Sequence, residues 1–382
     1  MFDKIPLSPN DLQRRSRESF YLYQKKIRDW FKLSKVNDEE RSVALALLGV
    51  RGHADRILWS DIPARYKASR ALASYMARHQ ATSPATRTYY LMTFIDDCGT
   101  TSDRAPNLAI EPVTQKVRRA VSSLGVDAIV MLEVHPLMNY PGGKNGRSLL
   151  LHAHAIAWTD EPFDHRGAEA AFNASPAWTC SLGAKPVDIR PIDRTPGHME
   201  RVAHYLAKQT PSVKNLMPSH SKPGRFMMMD TIKGYRDGLA CRIFEGQSQV
   251  ELMSVLFGVG EGSVVRQAVR AELKQWHVAR PSDVLIPKTR DVWAFWLSIR
   301  QRDSRSMYLP YRFVGGAYAP IAIMMPPQAT SKPAIASVCL PSALRQLAKS
   351  SATPTRSPRT RLMRLTERQA LKRKTKEFTD TH

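Results

Sequence analysis

Leu149-Leu150-Leu151-His152-Ala153-His154-Ala155-Ile156-Ala157-Trp158 is the stretch on which the reading of this chain turns. Side chains alternate across an extended strand, so two histidines one residue apart put both imidazoles on the same face. Imidazole is the commonest metal ligand among side chains, and a strand holds two rings at a spacing that one divalent ion can bridge. A half-buried strand with two hydrogen-bonded histidines would look the same in isolation. The segments on either side decide between the two.

Immediately upstream, Pro141-Gly142-Gly143-Lys144-Asn145-Gly146 is dense in turn formers, and Asp127-Ala128-Ile129-Val130-Met131-Leu132-Glu133-Val134-His135 before it reads as another strand. The pair predicts a hairpin. With the turn centred on Gly142-Gly143, equal steps outward bring Glu133 opposite His152. A glutamate inside an apolar strand is costly to bury unless something meets it, and a metal would. His135 shares the face of Glu133 and competes for the third ligand position, while a one-residue slip would turn Glu133 away.

Further out, residues 88–95, Thr-Tyr-Tyr-Leu-Met-Thr-Phe-Ile, predict a strand closed by Asp96-Asp97-Cys98-Gly99. Residues 111–124 predict a helix with Val113, Val117, Ala120 and Val121 inward and Gly125 as its stop. Residues 164–173 predict a second helix, and 185–192 a lateral strand, because Pro186 and Pro191 cannot donate to a ladder. Residues 197–209 predict a third helix, with Met199, Val202, Ala203 and Leu206 as its apolar stripe and Arg201, Tyr205, Lys208 and Gln209 on the adjoining polar side. Tyr205 is then placed for a cleft, with Lys208 one turn away. The order strand, helix, strand, strand, helix, strand predicts an α+β fold, a split β-α-β antiparallel sheet of the ferredoxin kind, with further helices flanking it.

The composition narrows the function classes. The chain has 382 residues, 43% hydrophobic and 24% charged, with a formal net charge of +23. Such an excess points to a polyanionic partner, nucleic acid first and an anionic membrane surface second. No apolar run approaches the roughly 20 residues that span a bilayer. The start Met1-Phe2-Asp3-Lys4-Ile5-Pro6 has no secretory layout, so a cytoplasmic protein without a membrane partner is expected. Cys98, Cys180, Cys241 and Cys339 lie far apart, which predicts reduced, mostly buried thiols.

Taken together, residues 88–209 resemble the HUH endonuclease superfamily, the rolling-circle replication initiators, conjugative relaxases and related single-strand transposases. Tyr90-Leu91-Met92-Thr93-Phe94 is similar to its first, structural motif, His152-Ala153-His154 to its metal-binding motif, and Tyr205-Leu206-Ala207-Lys208 to its third. The resemblance implies Tyr205 as the nucleophile, Lys208 as its helper, and Mg2+ or Mn2+ on His152, His154 and Glu133. It is to the single-tyrosine branch. Ligand type alone would also admit Zn2+. The implied activity is nicking and rejoining of single-stranded DNA at a plasmid or phage origin through a 5′-phosphotyrosine, with origin DNA and a host helicase or replisome as partners. A relaxase or transposase of the same chemistry, a non-catalytic DNA-binding regulator, and a small-molecule metal hydrolase are the alternatives.

The remaining segments complete the plan. Residues 1–82 read as an N-terminal helical region: a helix from Ser8-Pro9-Asn10-Asp11 with Phe20, Tyr23, Ile27, Trp30 and Phe31 on one face, another from Asn37 to Leu48, and a third over 66–77. The resemblance implies a nuclease domain over residues 83–215, and 216–330 reads as a helical region. Within it, 254–266 resembles a helix-turn-helix whose second helix would read DNA through Ser263, Arg266, Gln267 and Arg270. Residues 331–382 read as a linker and basic tail that attract phosphates without reading bases.

Overall fold

The apolar run of residues 149–158 has no exposed face: Leu149 to Trp158 are all buried. A strand covered on both sides is continuous in hydrophobicity, not alternating, and it belongs in the middle of a sheet. A computed structural model of the protein describes residues 9–33, 36–103, 107–139, 147–209, 213–218, 226–230, 237–280, 289–302, 311–314 and 317–320. All of these fall within one compact unit, Met1–Ala336. The glycine-rich turn expected at 141–146 and the linker and tail at 331–382 lie outside the described residues.

In chain order the elements are α1 (Pro9–Leu33), α2 (Asp38–Leu47), α3 (Ile62–Thr82), β1 (Thr88–Phe94), β2 (Thr100–Ser102), α4 (Ile110–Ser123), β3 (Asp127–Met138), β4 (Arg147–Thr159), α5 (His165–Ala174), β5 (Val187–Ile192) and α6 (His198–Leu206). After these come β6 (Lys214–Pro218), β7 (Phe226–Asp230), α7 (Asp237–Ser248), α8 (Leu252–Val255), β8 (Leu256–Val259), α9 (Gly262–Val278), α10 (Thr289–Arg302), β9 (Tyr311–Val314) and β10 (Ala317–Pro320). The fold is α+β. Among the described residues its mixed sheet has eight strands in the order β5-β1-β4-β3-β6-β7, with β2 also on β4 and β8 also on β3, and only the β3–β6 pairing is parallel.

Local chemistry explains the helix ends. Asn37 and Glu40 form a reciprocal capping box, Asn37 Oδ1 accepting from the Glu40 amide at 2.8 Å and Glu40 Oε2 from the Asn37 amide at 3.1 Å. Asp61 caps α3 by accepting from the Ala64 amide at 2.9 Å, and Pro63 fits the first turn, which starts the helix four residues before the expected Tyr66. The lateral position expected for residues 185–192 is the one β5 takes.

β3 and β4 pair antiparallel from Asp127↔Trp158 to Met138↔Arg147, so Glu133 faces His152 across the ladder as equal steps from the turn require. On one face of the sheet lie Met131, Glu133, His135, His152, His154 and, from β1, Thr93. α6 covers that face, with α3 packed behind it. The opposite face carries Phe94, whose ring meets Trp178 at 5.7 Å, and Lys116 of α4 lies 4.7 Å from the centre of that indole.

Two expectations are corrected. Residues 254–266 are not a helix-turn-helix: α8 has four residues, and Leu256–Val259 then forms β8, antiparallel to β3. The glycines that imitate a helical turn meet a packing need instead. A side chain on Gly262 would collide with the Ala128 carbonyl, and one on Gly258 with the backbone at the start of α9. Residues 216–330 are likewise not wholly helical, since they include β7, β8, β9 and β10. Among the described thiols, Cys98 is exposed, Cys180 half-buried and Cys241 buried, and none of the three is in a disulfide. Cys339 lies outside the described residues.

Candidate metal centre and the tyrosine beside it

Neighbouring β3 and β4 converge Glu133, His152 and His154 into one buried cluster, each offering a ligand atom within 4.8 Å of the others. His154 Nε2 lies 3.0 Å from Glu133 Oε2, His152 Nε2 lies 3.4 Å from the same oxygen, and the two Nε2 atoms are 3.1 Å apart. Two imidazole nitrogens and a carboxylate oxygen at such separations compete for few protons. A single cation would satisfy all three lone pairs at once, so the donor set fits a divalent metal.

The surroundings hold these groups in ligand form. Thr93 Oγ1 stands 3.0 Å from His154 Nδ1, an outer partner that fixes the orientation of the ring. Burial, helped by the Lys208 charge, lowers the His154 pKa to about 3, which keeps the ring neutral. Burial alone would raise the Glu133 carboxyl. The Lys208 ammonium and the hydrogen bonds from His152 and His154 outweigh it and hold Glu133 ionised, well below the usual carboxylate range.

Lys208 Nζ is 3.1 Å from Glu133 Oε2, the same oxygen that both imidazoles approach. It is also 3.4 Å from the centre of the Tyr205 ring. That ring is half-buried on the imidazole side of the sheet, its centre 4.8 Å from that of His154. The sequence-derived residues Glu133, His152, His154, Tyr205 and Lys208 therefore meet in one place. His135 does not join them: its ring centre is 6.0 Å from that of His152, and burial lowers its pKa to about 3. Among the described residues, neither His135 Nε2 nor His152 Nδ1 has a hydrogen-bond partner.

Sequence reading missed the residues that seat α6. Buried Arg65 of α3 donates to Gln209 Oε1 and, at 3.3 Å, to the Lys208 carbonyl, supplying a cation where the helix end leaves carbonyls unpaired. Ser69 Oγ lies 2.8 Å from buried His204 Nδ1. Gln209, expected on the polar side, is buried for this reason. A mid-helix arginine and serine carry no signal that they face another helix 135 or more residues away in sequence.

The expected DNA-reading set is dispersed in role. Ser263, Gln267 and Arg270 are exposed on α9, while Arg266 donates to the carbonyls of Leu256 at 2.7 Å and Met253 at 2.8 Å. Arg266 is anchored to its own fold and is corrected as a base reader. Among the described residues no helix is long and apolar enough to cross a membrane. Compared with protein-family models, with curated proteins and with solved structures, the chain matches none.

Proposed function

We propose that this protein is a single-strand DNA endonuclease and strand transferase of the HUH type, acting as a replication initiator at a plasmid or phage origin. The observation that carries the reading is the Tyr205 ring 4.8 Å from the His154 ring, with Lys208 between it and Glu133. The strand order β5-β1-β4-β3, all antiparallel, supports a split β-α-β core, because it is the order that unit produces.

The Tyr205 oxygen gives up its proton to solvent, attacks phosphorus and forms a new P–O bond. The bond from phosphorus to the 3′ oxygen breaks, and that oxygen leaves as a 3′-hydroxyl after taking a proton. Tyrosine's reference pKa is about 10, so the attack needs an adjacent positive charge, which Lys208 supplies. The 5′-phosphotyrosine conserves the bond energy, and attack by a 3′-hydroxyl reverses the step and rejoins the strand. Glu133, His152 and His154 would hold Mg2+ or Mn2+, whose chemistry is polarisation of the scissile phosphate.

A second reading has one observation in its favour. Lys208 Nζ pairs with Glu133 Oε2, as a structural ion pair would in a non-catalytic DNA-binding regulator. Incubation of the protein with Mn2+ and a library of single strands, followed by denaturing electrophoresis, separates the two. A covalent adduct lost in Tyr205→Phe is expected; an adduct that persists in that variant reassigns the nucleophile. No adduct from wild type favours the regulator. Origin, transfer-origin and transposon-end strands then distinguish an initiator from a relaxase or transposase.

A further inference from the structure

α9 keeps its basic residues although it is no recognition helix, and α4 contributes to the same place. Arg118 of α4 lies with its guanidinium 4.8 Å from the centre of the Phe257 ring on β8. Phe257 pairs with Val130, and Val130 with Ala155, so this ring points away from the imidazole face. Arg266 is tied to the carbonyl of Leu256, the neighbour of Phe257, and Arg270 follows one turn along α9. Burial first, then the nearby charges of Arg270 and Arg118, lower the Arg266 pKa. Among the described residues none of the three arginines meets a carboxylate.

We propose that Arg118, Arg266 and Arg270 form a docking surface for the phosphate backbone of duplex DNA, separate from the metal cluster. Like charges gathered without counter-ions are held together by the fold at a cost, and a polyanion relieves it. The aromatic ring at the centre, Phe257, is 2% exposed, so it offers no face on which unpaired bases could stack. What remains is phosphate contact, which fixes position on a duplex without reading sequence. The inference rests on the DNA-binding part of the proposed function but not on cutting by Tyr205.

The test is fluorescence anisotropy of a blunt duplex with the full chain across a salt series. Each phosphate contact contributes roughly 0.9 to the slope of log affinity against log salt. Arg118→Gln with Arg270→Gln is expected to flatten the slope by about two, at roughly 0.9 per contact, and the paired lysine variants to restore most of it. An unchanged slope overturns the proposal, as does a wild type that binds no duplex. So does a double variant that loses binding to vesicles containing phosphatidylserine while its duplex binding stays intact. Adduct formation on a short single strand is expected to survive in the glutamine variant. A wild type that forms no adduct yet shows the slope change would sink the cutting reading and leave the docking surface standing.

Discussion

Lys208 stands where a dication would be repelled by it most. Its ammonium shares Glu133 Oε2 with both imidazoles, so in this arrangement it competes with a metal for the same carboxylate. Unit charges about 4 Å apart interact by about 4 kcal/mol at an effective dielectric near 20, and part exposure of the lysine reduces this. Lys208→Met is therefore expected to bind Mn2+ about tenfold more tightly by calorimetry, a change of about 1.4 kcal/mol, while its adduct yield falls. Weaker metal binding in that variant would show that the ammonium supports the cluster.

His135 makes a different prediction at the same scale. Its pKa is lowered to about 3 by burial, against about 6.5 in an unfolded chain, so the unfolded state binds more protons between those values. Its contribution is complete above about pH 6.5 and is lost as pH falls towards 3, at up to roughly 1.4 kcal/mol per pH unit. His135→Leu also removes a buried nitrogen without a partner. Urea denaturation should find the variant no less stable than wild type at pH 7.5 and visibly less acid-sensitive between pH 6 and 4.5. Parallel acid limbs would place the sensitivity elsewhere, and loss of Mn2+ binding would make His135 a ligand.

At the scale of elements, α6 depends on α3. Arg65 satisfies Gln209 and the Lys208 carbonyl, and its guanidinium lies 4.9 Å from the centre of the Phe20 ring. Removing it takes a donor away from Gln209 Oε1 and from the Lys208 carbonyl, and a lost hydrogen bond at a buried acceptor costs about 1–3 kcal/mol. Arg65→Met should lower the melting temperature and, below the melting range, cut adduct yield while leaving Mn2+ affinity near wild type, because the ligands sit on β3 and β4. Equal losses of both would mean the whole sheet has moved. The same contrast explains what was legible. Ligand placement follows from strand period and turn centre, both local, so Glu133 opposite His152 could be read from residues 127–158. β8 could not, since Gly258-Val259-Gly260 fits a helical turn locally and only the approach of Gly262 to Ala128 shows its use. Arg65 and Ser69 were invisible because their partners are remote in sequence.

For the whole molecule, the boundary between helices and sheet is the point at issue. Phe20, Tyr23, Ile27 and Phe31 of α1 and Ile62, Ala68, Leu72 and Met76 of α3 are all buried. Lys67 of α3 also bridges to Glu272 of α9 at 2.5 Å. Each large apolar side chain contributes about 1.5–3 kcal/mol when fully buried, and a folded domain retains about 5–15 kcal/mol in all. Deleting residues 1–82 would uncover the far side of these contacts on α6, α7 and α9 and strip Tyr205 of its support. A chain starting at residue 83 is expected to show no cooperative thermal transition by circular dichroism, to be cut rapidly by trypsin within 198–209, and to form no adduct. A truncated protein that melts cooperatively and still becomes linked to DNA would show that the sheet and α6 fold and work as an independent domain, with the N-terminal helices an addition to it.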